Sequence, residues 1–321
     1  MMKTYLKILV ATIMSLTLAA FFLVNAQSYI LQGPHIIQLM TEKLGQAESL
    51  FVSQRVIFYN VEPQTDGRDE ENSGSPDIDT TGRPSGQSDE SQDTVLASST
   101  APPPMQLEES IRYLFSQAFR SDIISDTNQR IYVYNAGQTL TVIDGRIAHF
   151  TESRFDLYKD LLLYRSRETL SERLVNMGID VTISSLGKFE DRLAVVVGAE
   201  FPDETAAQVW IDKETFQPLR MIIPAPHDNP TGLLEIRYAN WQKIEKMWYP
   251  MQIEFIQDGK TVRAVEVNNY QMNPRFSEDI FDIAHLMSEY RQAGPLSEGS
   301  SNNEGLSEVQ KTIEQFKKIF E

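Results

Sequence analysis

The sequence predicts an α+β protein, mainly antiparallel β, in which a curved sheet of about eleven strands wraps around a few helices. Three observations point there. Short apolar runs follow one another between turn residues, as in a meander. Within the runs apolar and polar residues alternate, so each strand has one face to bury. Few stretches of the body carry helical spacing, and a sheet with one apolar face must still cover it. Bending the sheet around those few helices does so.

The elements follow in order. Pro34 to Leu44 reads as a helix, with Ile36, Ile37, Leu39, Met40 and Leu44 on a broad apolar face and Gly45 ending it. Leu50 to Tyr59 reads as a strand, and Leu107 to Gln117 and Phe119 to Ile124 as two more. Arg130 to Asn135 and Gln138 to Ile143 are short strands joined at Ala136-Gly137, and Asp144-Gly145 turns the chain into Arg146 to Phe150. Arg154 to Met177 changes period: Phe155, Tyr158, Leu161, Leu162, Leu170, Leu174 and Val175 recur at helical spacing, for one or two helices ending near Gly178. Strands then return at Asp180 to Leu186, Leu193 to Gly198, Gln208 to Asp212, Pro218 to Ile223, Leu233 to Trp241, Trp248 to Gln257 and Val262 to Tyr270. Alternation is clear in places. Leu234, Ile236 and Tyr238 point one way and Glu235, Arg237 and Ala239 the other.

The flanks differ in composition. Met1 to Lys7 carries two lysines and no acid, Ile8 to Val24 is an uncharged run of 17 residues, and Val24-Asn25-Ala26 offers a small-residue exit. That is the layout of a secretory signal, so residues 1–26 are expected to be a signal peptide that directs the rest out of the cytoplasm. An uncleaved membrane anchor is the rival, although the run is short of the usual span of about 20 residues. Val61 to Pro104 holds ten acids, two bases and no aromatic residue in 44 positions. It cannot bury enough apolar surface to offset its ordering entropy and is expected to be a disordered acidic insert within a hairpin. Residues 284–305 read as a linker. Leu306, Val309, Ile313, Phe316 and Phe320 then fall on one stripe of an amphipathic helix over 306–321. The domain proper is expected at 27–60 and 105–283.

Composition excludes several chemistries. The 321 residues carry 29 Lys plus Arg against 45 Asp plus Glu, a net charge of -16, which disfavours nucleic acid as a partner. There is no cysteine, hence no disulfide, thiolate nucleophile or cysteine-ligated metal. The four histidines, at 35, 149, 227 and 285, show no metal-ligand spacing, and no His-Glu-x-x-His, Gly-x-Ser-x-Gly, P-loop or Gly-x-Gly-x-x-Gly occurs. The acid pairs Asp203-Glu204 and Asp212/Glu214 lie at turns with nothing apolar nearby to separate their pKa values. No catalytic residue, metal site or cofactor is assigned, and weight moves from enzyme to binding protein.

Binding then falls to the inner face of the sheet. By alternation Phe119, Ile131, Val133, Leu140, Val142, Val195, Val197, Met221, Ile236 and Phe255 face the interior, with Leu161 and Leu162 covering them from the helix side. If the helices fill it incompletely, these residues line a hydrophobic pocket. If they fill it, the same residues are ordinary core, which is what apolar faces form by default.

Several segments resemble the outer-membrane lipoprotein-sorting, LolA-like family. Ala207 to Arg220 (AQVWIDKETFQPLR) is similar to its strand–turn–strand signature, as is Trp248 to Phe255 (WYPMQIEF). Asn273-Pro274 through Glu278 to Phe281 resembles its closing segment, and Phe119-Arg120 with Gly137 to Gly145 (GQTLTVIDG) an early strand and turn. The resemblance spans Pro34 to Phe281 apart from the insert. It implies an incomplete, half-open antiparallel β-barrel capped by helices, with a lipid-binding cavity. It further implies a non-catalytic periplasmic carrier that takes lipid or lipoprotein acyl chains towards the outer membrane, with membrane-protein donors or acceptors as partners. A family arginine that contacts the lid is matched to Arg120. A regulatory envelope-stress sensor in the manner of RseB fits the same fold and is the alternative. The acidic insert and the terminal helix depart from the carrier pattern.

Overall fold

Strands form where the sequence alternates, and turns where it supplies residues that accept positive φ. Ala136-Gly137, Asp144-Gly145 and Asp258-Gly259 all turn with φ between 46° and 86° at both positions, and each closes a hairpin. The computed structural model describes residues 31–59, 104–125, 128–149, 152–224 and 232–292. The signal peptide expected over 1–26, the acidic insert up to its last residue, the loop holding His227, Phe150 and the helix expected over 306–321 lie outside the described residues.

The described elements begin with α1 (Gly33–Leu44) and β1 (Ser49–Phe58). The next strands are β2 (Met105–Leu114), β3 (Ala118–Ile124), β4 (Gln129–Asn135), β5 (Gln138–Ile143) and β6 (Arg146–His149). A 3-10 turn (Arg154–Lys159) then leads into α2 (Asp160–Leu163) and α3 (Arg167–Asn176). Sheet resumes with β7 (Ser184–Phe189), β8 (Arg192–Val197), β9 (Gln208–Asp212), β10 (Pro218–Ile223), β11 (Leu234–Ile244), β12 (Met247–Gln257) and β13 (Lys260–Met272). A second 3-10 turn (Glu278–Phe281), α4 (Ile283–Glu289) and β14 (Arg291–Gln292) close the described chain.

All strands belong to one sheet, in the order β14-β6-β5-β4-β3-β2-β1-β13-β12-β11-β10-β9-β8-β7. Thirteen strands pair antiparallel, and the two-residue β14 adds a parallel edge on β6. The sheet is an open half-barrel: β7 ends one side and β6 with β14 the other, without pairing to each other. Register shifts at Ser53/Gln54, Thr141/Val142, Pro218/Arg220 and Phe255/Ile256 mark the bulges that bend it. β1 lies between β2 and β13, so the chain's first strand joins the two halves of the sheet.

Differences from the expected elements have local causes. Thirteen antiparallel strands form where about eleven were expected. The strand expected from Asp180 starts at Ser184, because the Asp180 carboxylate accepts from the Thr182 amide at 3.0 Å and from its hydroxyl, stabilising a turn. The strand expected to run to Gln117 stops at Leu114, where Ser116 takes φ 63° in a tight turn. Phe58 pairs with Met105 across β1 and β2, so the acidic insert leaves and re-enters at one end of a hairpin, as expected. The chain does not become a linker at 284. α4 caps itself through the Asp282 carboxylate, and its Ile283 and Leu286 are buried against the sheet.

Candidate functional site

The inner face of the sheet and the helices against it form one apolar cluster. α1 contributes Ile36, Ile37, Met40 and Leu44, spaced to share a face. Leu161 and Leu162 of α2 and Leu170 and Leu174 of α3 belong to the same cluster, with α3 packed beside α1 and α2. Eight of the twelve residues expected in the interior meet here: Phe119, Leu161, Leu162, Val195, Val197, Met221, Ile236 and Phe255, none more than 3% exposed. They are packed core in this closed arrangement.

The other four require correction. Ile131, Val133, Leu140 and Val142 lie on the opposite, outer face, in a separate cluster with Ile147, Ile283 and Leu286 under α4. Their inward places are taken by Tyr132 and Tyr134 of β4, which join the inner cluster, and by Arg130. From Ile131 to Tyr134 every residue is apolar or aromatic, so alternation alone offered two equally plausible faces. Arg120 also points outward, between the inward Phe119 and Ser121. Its Nε and Nη2 donate to the Asp122 carboxylate at 2.9 and 2.8 Å, and its Nη1 donates to the Ile280 carbonyl at 2.9 Å. Its backbone partner is thus the carboxy-terminal segment.

Among the apolar residues sits a buried ionic network. Lys159, fully buried, donates to Glu152 and to Asp160 Oδ1 at 3.0 Å. Arg173 of α3 closes it, with Nε on Asp160 Oδ2 at 2.8 Å and Nη2 on Glu152. Tyr132 donates to Glu152 at 2.7 Å, and the rings of Phe119, Tyr132 and Tyr134 lie 5.1–5.9 Å from the Lys159 ammonium. Burial pushes the Glu152 carboxyl up, but Lys159 and Arg173 outweigh it and hold it at about 2. Burial likewise opposes charge on Lys159, and Asp160 and Glu152 more than offset that, keeping its pKa above the ordinary value. For Asp160, burial wins and its pKa is raised. The four charges tie α2 and α3 to each other and to the chain just before the 3-10 turn.

A second polar group sits on the strands. Glu109 accepts from Gln54 Nε2 at 2.6 Å and from the Ser121 hydroxyl, and lies 3.6 Å from Arg263. Arg130 pairs with Asp156 of the 3-10 turn at 2.6 Å. Sequence reasoning missed these residues, although one signal was present. Glu109 falls in step with Leu107, Ile111 and Tyr113, an acid in an otherwise inward apolar register.

The helices over this face are short, four residues in α2 and ten in α3, and do not stand without tertiary contacts. Besides apolar packing they are held by the ionic network and a few hydrogen bonds. The Ser116 amide donates to the Leu163 carbonyl at 3.0 Å, and the Tyr238 hydroxyl to the Tyr158 carbonyl at 2.9 Å. A separate surface cleft of about 540 Å³ opens where Arg192, Arg237 and Glu254 alternate away from the interior, beside Phe189 and Trp241. Its lining is largely charged or polar.

Fold and site together define an open antiparallel half-barrel folded over short helices, with an apolar inner face and a buried ionic tie. The chain is similar to a domain described as an outer membrane lipoprotein-sorting protein from Vibrio parahaemolyticus. The identity is 11% and the TM-score 0.46, over 79% of this chain and 97% of that one. It is also similar to a LolA superfamily protein from Nitrosomonas europaea, at 9% identity and TM-score 0.44, over 80% and 100% of the two chains. MucB bound to MucA from Pseudomonas aeruginosa gives 12% identity and TM-score 0.23, over 78% of this chain and 60% of that one. No protein-family model and no curated protein matches the chain.

Proposed function

We propose that the protein is a non-catalytic carrier that shelters the acyl chains of a lipid or a lipoprotein between the inner sheet face and the helices. The reading places it in the periplasm, moving cargo towards the outer membrane between membrane-protein donors and acceptors. One observation carries it: a long apolar sheet face is covered by a segment of short helices that is tied mainly to itself and meets the sheet through only a few hydrogen bonds, where a second sheet would give permanent closure. Displacing α2 and α3 uncovers Leu161, Leu162, Phe119 and Phe255 for a chain to lie against. Each methylene buried there contributes about 0.8 kcal/mol, so a few acyl chains supply ample affinity without covalent chemistry. Release needs only a cover that opens at low cost. The sequence segments that resemble the lipoprotein-sorting family support the same reading.

The test is native mass spectrometry of the exported protein, purified gently from its own envelope. Co-purifying lipid or acylated peptide, and uptake of a fluorescent acyl probe by the stripped protein, are the expected results. An apo mass together with no probe uptake would end the carrier reading.

A further inference from the structure

Among the described residues five basic side chains are buried: Arg130, Lys159, Arg165, Arg220 and Arg263. Four of them face acids. Arg130 meets Asp156, Lys159 meets Glu152 and Asp160, Arg220 meets Glu204 and Glu235, and Arg263 meets Glu109. Arg165 meets none. It is 6% exposed, and no described residue accepts a hydrogen bond from its Nε, Nη1 or Nη2. Burying an uncompensated guanidinium is costly, and proteins ordinarily pair one.

Its surroundings are built rather than accidental. Arg165 joins α2 to α3, immediately before the capping residue Ser166. Its amide donates to the Ser116 hydroxyl at 3.3 Å, which seats the junction on the turn between β2 and β3. The guanidinium carbon lies 4.5 Å from the Phe115 ring centroid. Stacking of this kind engages the flat face of the cation and leaves the in-plane N–H donors unspent. Tyr113, stacked 5.5 Å from Phe115, shares a 3.2 Å hydroxyl contact with Tyr249. Two hydroxyls bonded to each other use one proton and leave the second O–H available. Burial draws the guanidinium pKa down to about 10, with only the Tyr113 and Tyr249 phenols acting the other way. Burial also raises the pKa of both phenols, so they stay neutral donors and offer Arg165 no counter-charge at neutral pH.

We propose that Arg165 is the headgroup anchor of the interior: it holds the oxyanion, carboxylate or phosphate, of an acyl-chain ligand, with the Tyr113–Tyr249 hydroxyl pair beside it. The assignment rests on the carrier reading and narrows its cargo to chains that bear a negative charge at one end. Because Arg165 sits at the joint of the covering helices, a headgroup bound there also fastens the cover over its chain.

The experiment uses the full, delipidated protein and competition against a fluorescent acyl probe. Oleate, oleoyl lysophosphatidate and oleyl alcohol share one chain and differ in the end group. At least one of the two anions should bind roughly tenfold or more tightly than the alcohol, as a charge-assisted hydrogen bond predicts, and the stronger names the headgroup. Arg165→Gln should erase that preference, bringing the ratio of anion to alcohol affinity to about one. Equal affinity for anion and alcohol in the wild type, or a preference that survives Arg165→Gln, overturns the anchor and leaves the carrier standing. No binding of any of the three removes the carrier itself. Should Arg165→Gln fail to fold, carbon-13 NMR of carboxyl-labelled oleate on the wild type decides. A carboxylate paired with a buried guanidinium stays ionised from about pH 8 down to about pH 5, whereas one buried without a partner titrates inside that range.

Discussion

Replacing Lys159 by Met tests the ionic tie most directly. The four members carry two positive and two negative charges, and their side chains are 0% (Lys159), 0% (Asp160), 14% (Glu152) and 20% (Arg173) exposed. Removing the ammonium leaves two carboxylates facing one guanidinium, a net buried charge of -1. Asp160 keeps Arg173 Nε at 2.8 Å, and Glu152 keeps Arg173 and the Tyr132 hydroxyl. Breaking a buried pair in this way costs about 3–5 kcal/mol, far above the 0–1 kcal/mol typical of a surface pair. Urea unfolding of the wild type and Lys159→Met at pH 7 measures it as a shift in midpoint at unchanged slope. The double variant Lys159→Met/Asp160→Asn restores charge balance and should recover much of the loss. Acidity supplies a second arm. Burial already raises the Asp160 pKa, and removing Lys159 raises it further. A carboxyl raised above its unfolded value costs stability above its folded pKa, and that cost fades as pH falls through it. The deficit of Lys159→Met should therefore shrink as pH is lowered from 7 towards 4. In the wild type Glu152 works in the opposite sense: with its pKa held at about 2 against an ordinary 4.5, its stabilisation is complete above 4.5 and drains away between 4.5 and 2. A loss below about 1 kcal/mol at pH 7, or one that grows on acidification, would refute the argument.

Leu286→Ala should cost about 2–3 kcal/mol, because the side chain is buried against Ile131, Val133, Leu140 and Val142. Hydrogen exchange should accelerate in α4 while acyl-probe binding stays intact, since these residues lie on the outer face. Replacing residues 60–103 by a two-residue Asn-Gly turn should not lower the unfolding free energy and should raise it by up to about 2–3 kcal/mol, because Phe58 already pairs with Met105 and shortening the loop about twentyfold removes closure entropy. A large loss of stability in that deletion would mean that the insert contributes to folding.

Most strands could be read from the sequence because their information is local. Asp144-Gly145 and Asp258-Gly259 name their own turns, and Leu234, Ile236 and Tyr238 declare one inward face against Glu235 and Arg237. The helix at Gly33–Leu44 is equally self-contained, with its apolar spacing and Gly45 at the end. Charge and the lack of cysteine narrowed the chemistry before any fold was known.

Tertiary structure decided what local pattern leaves degenerate. β4 is apolar or aromatic on both sides, so only pairing with its neighbours and packing under α4 turned Ile131 and Val133 outward and Tyr132 and Tyr134 inward. Arg120 followed from the same register. The tie of Lys159, Asp160, Glu152 and Arg173 joins residues up to 21 positions apart, and Glu109 meets Arg263 across 154 positions. No spacing rule connects such pairs. Nor does sequence reveal that Arg165 alone among the buried bases of the described chain meets no acid, since a missing partner becomes visible only when every neighbour has been placed. Periodicity encodes which face of an element seeks burial. What that face meets is set by long-range packing, and with it the charges the interior has to accommodate.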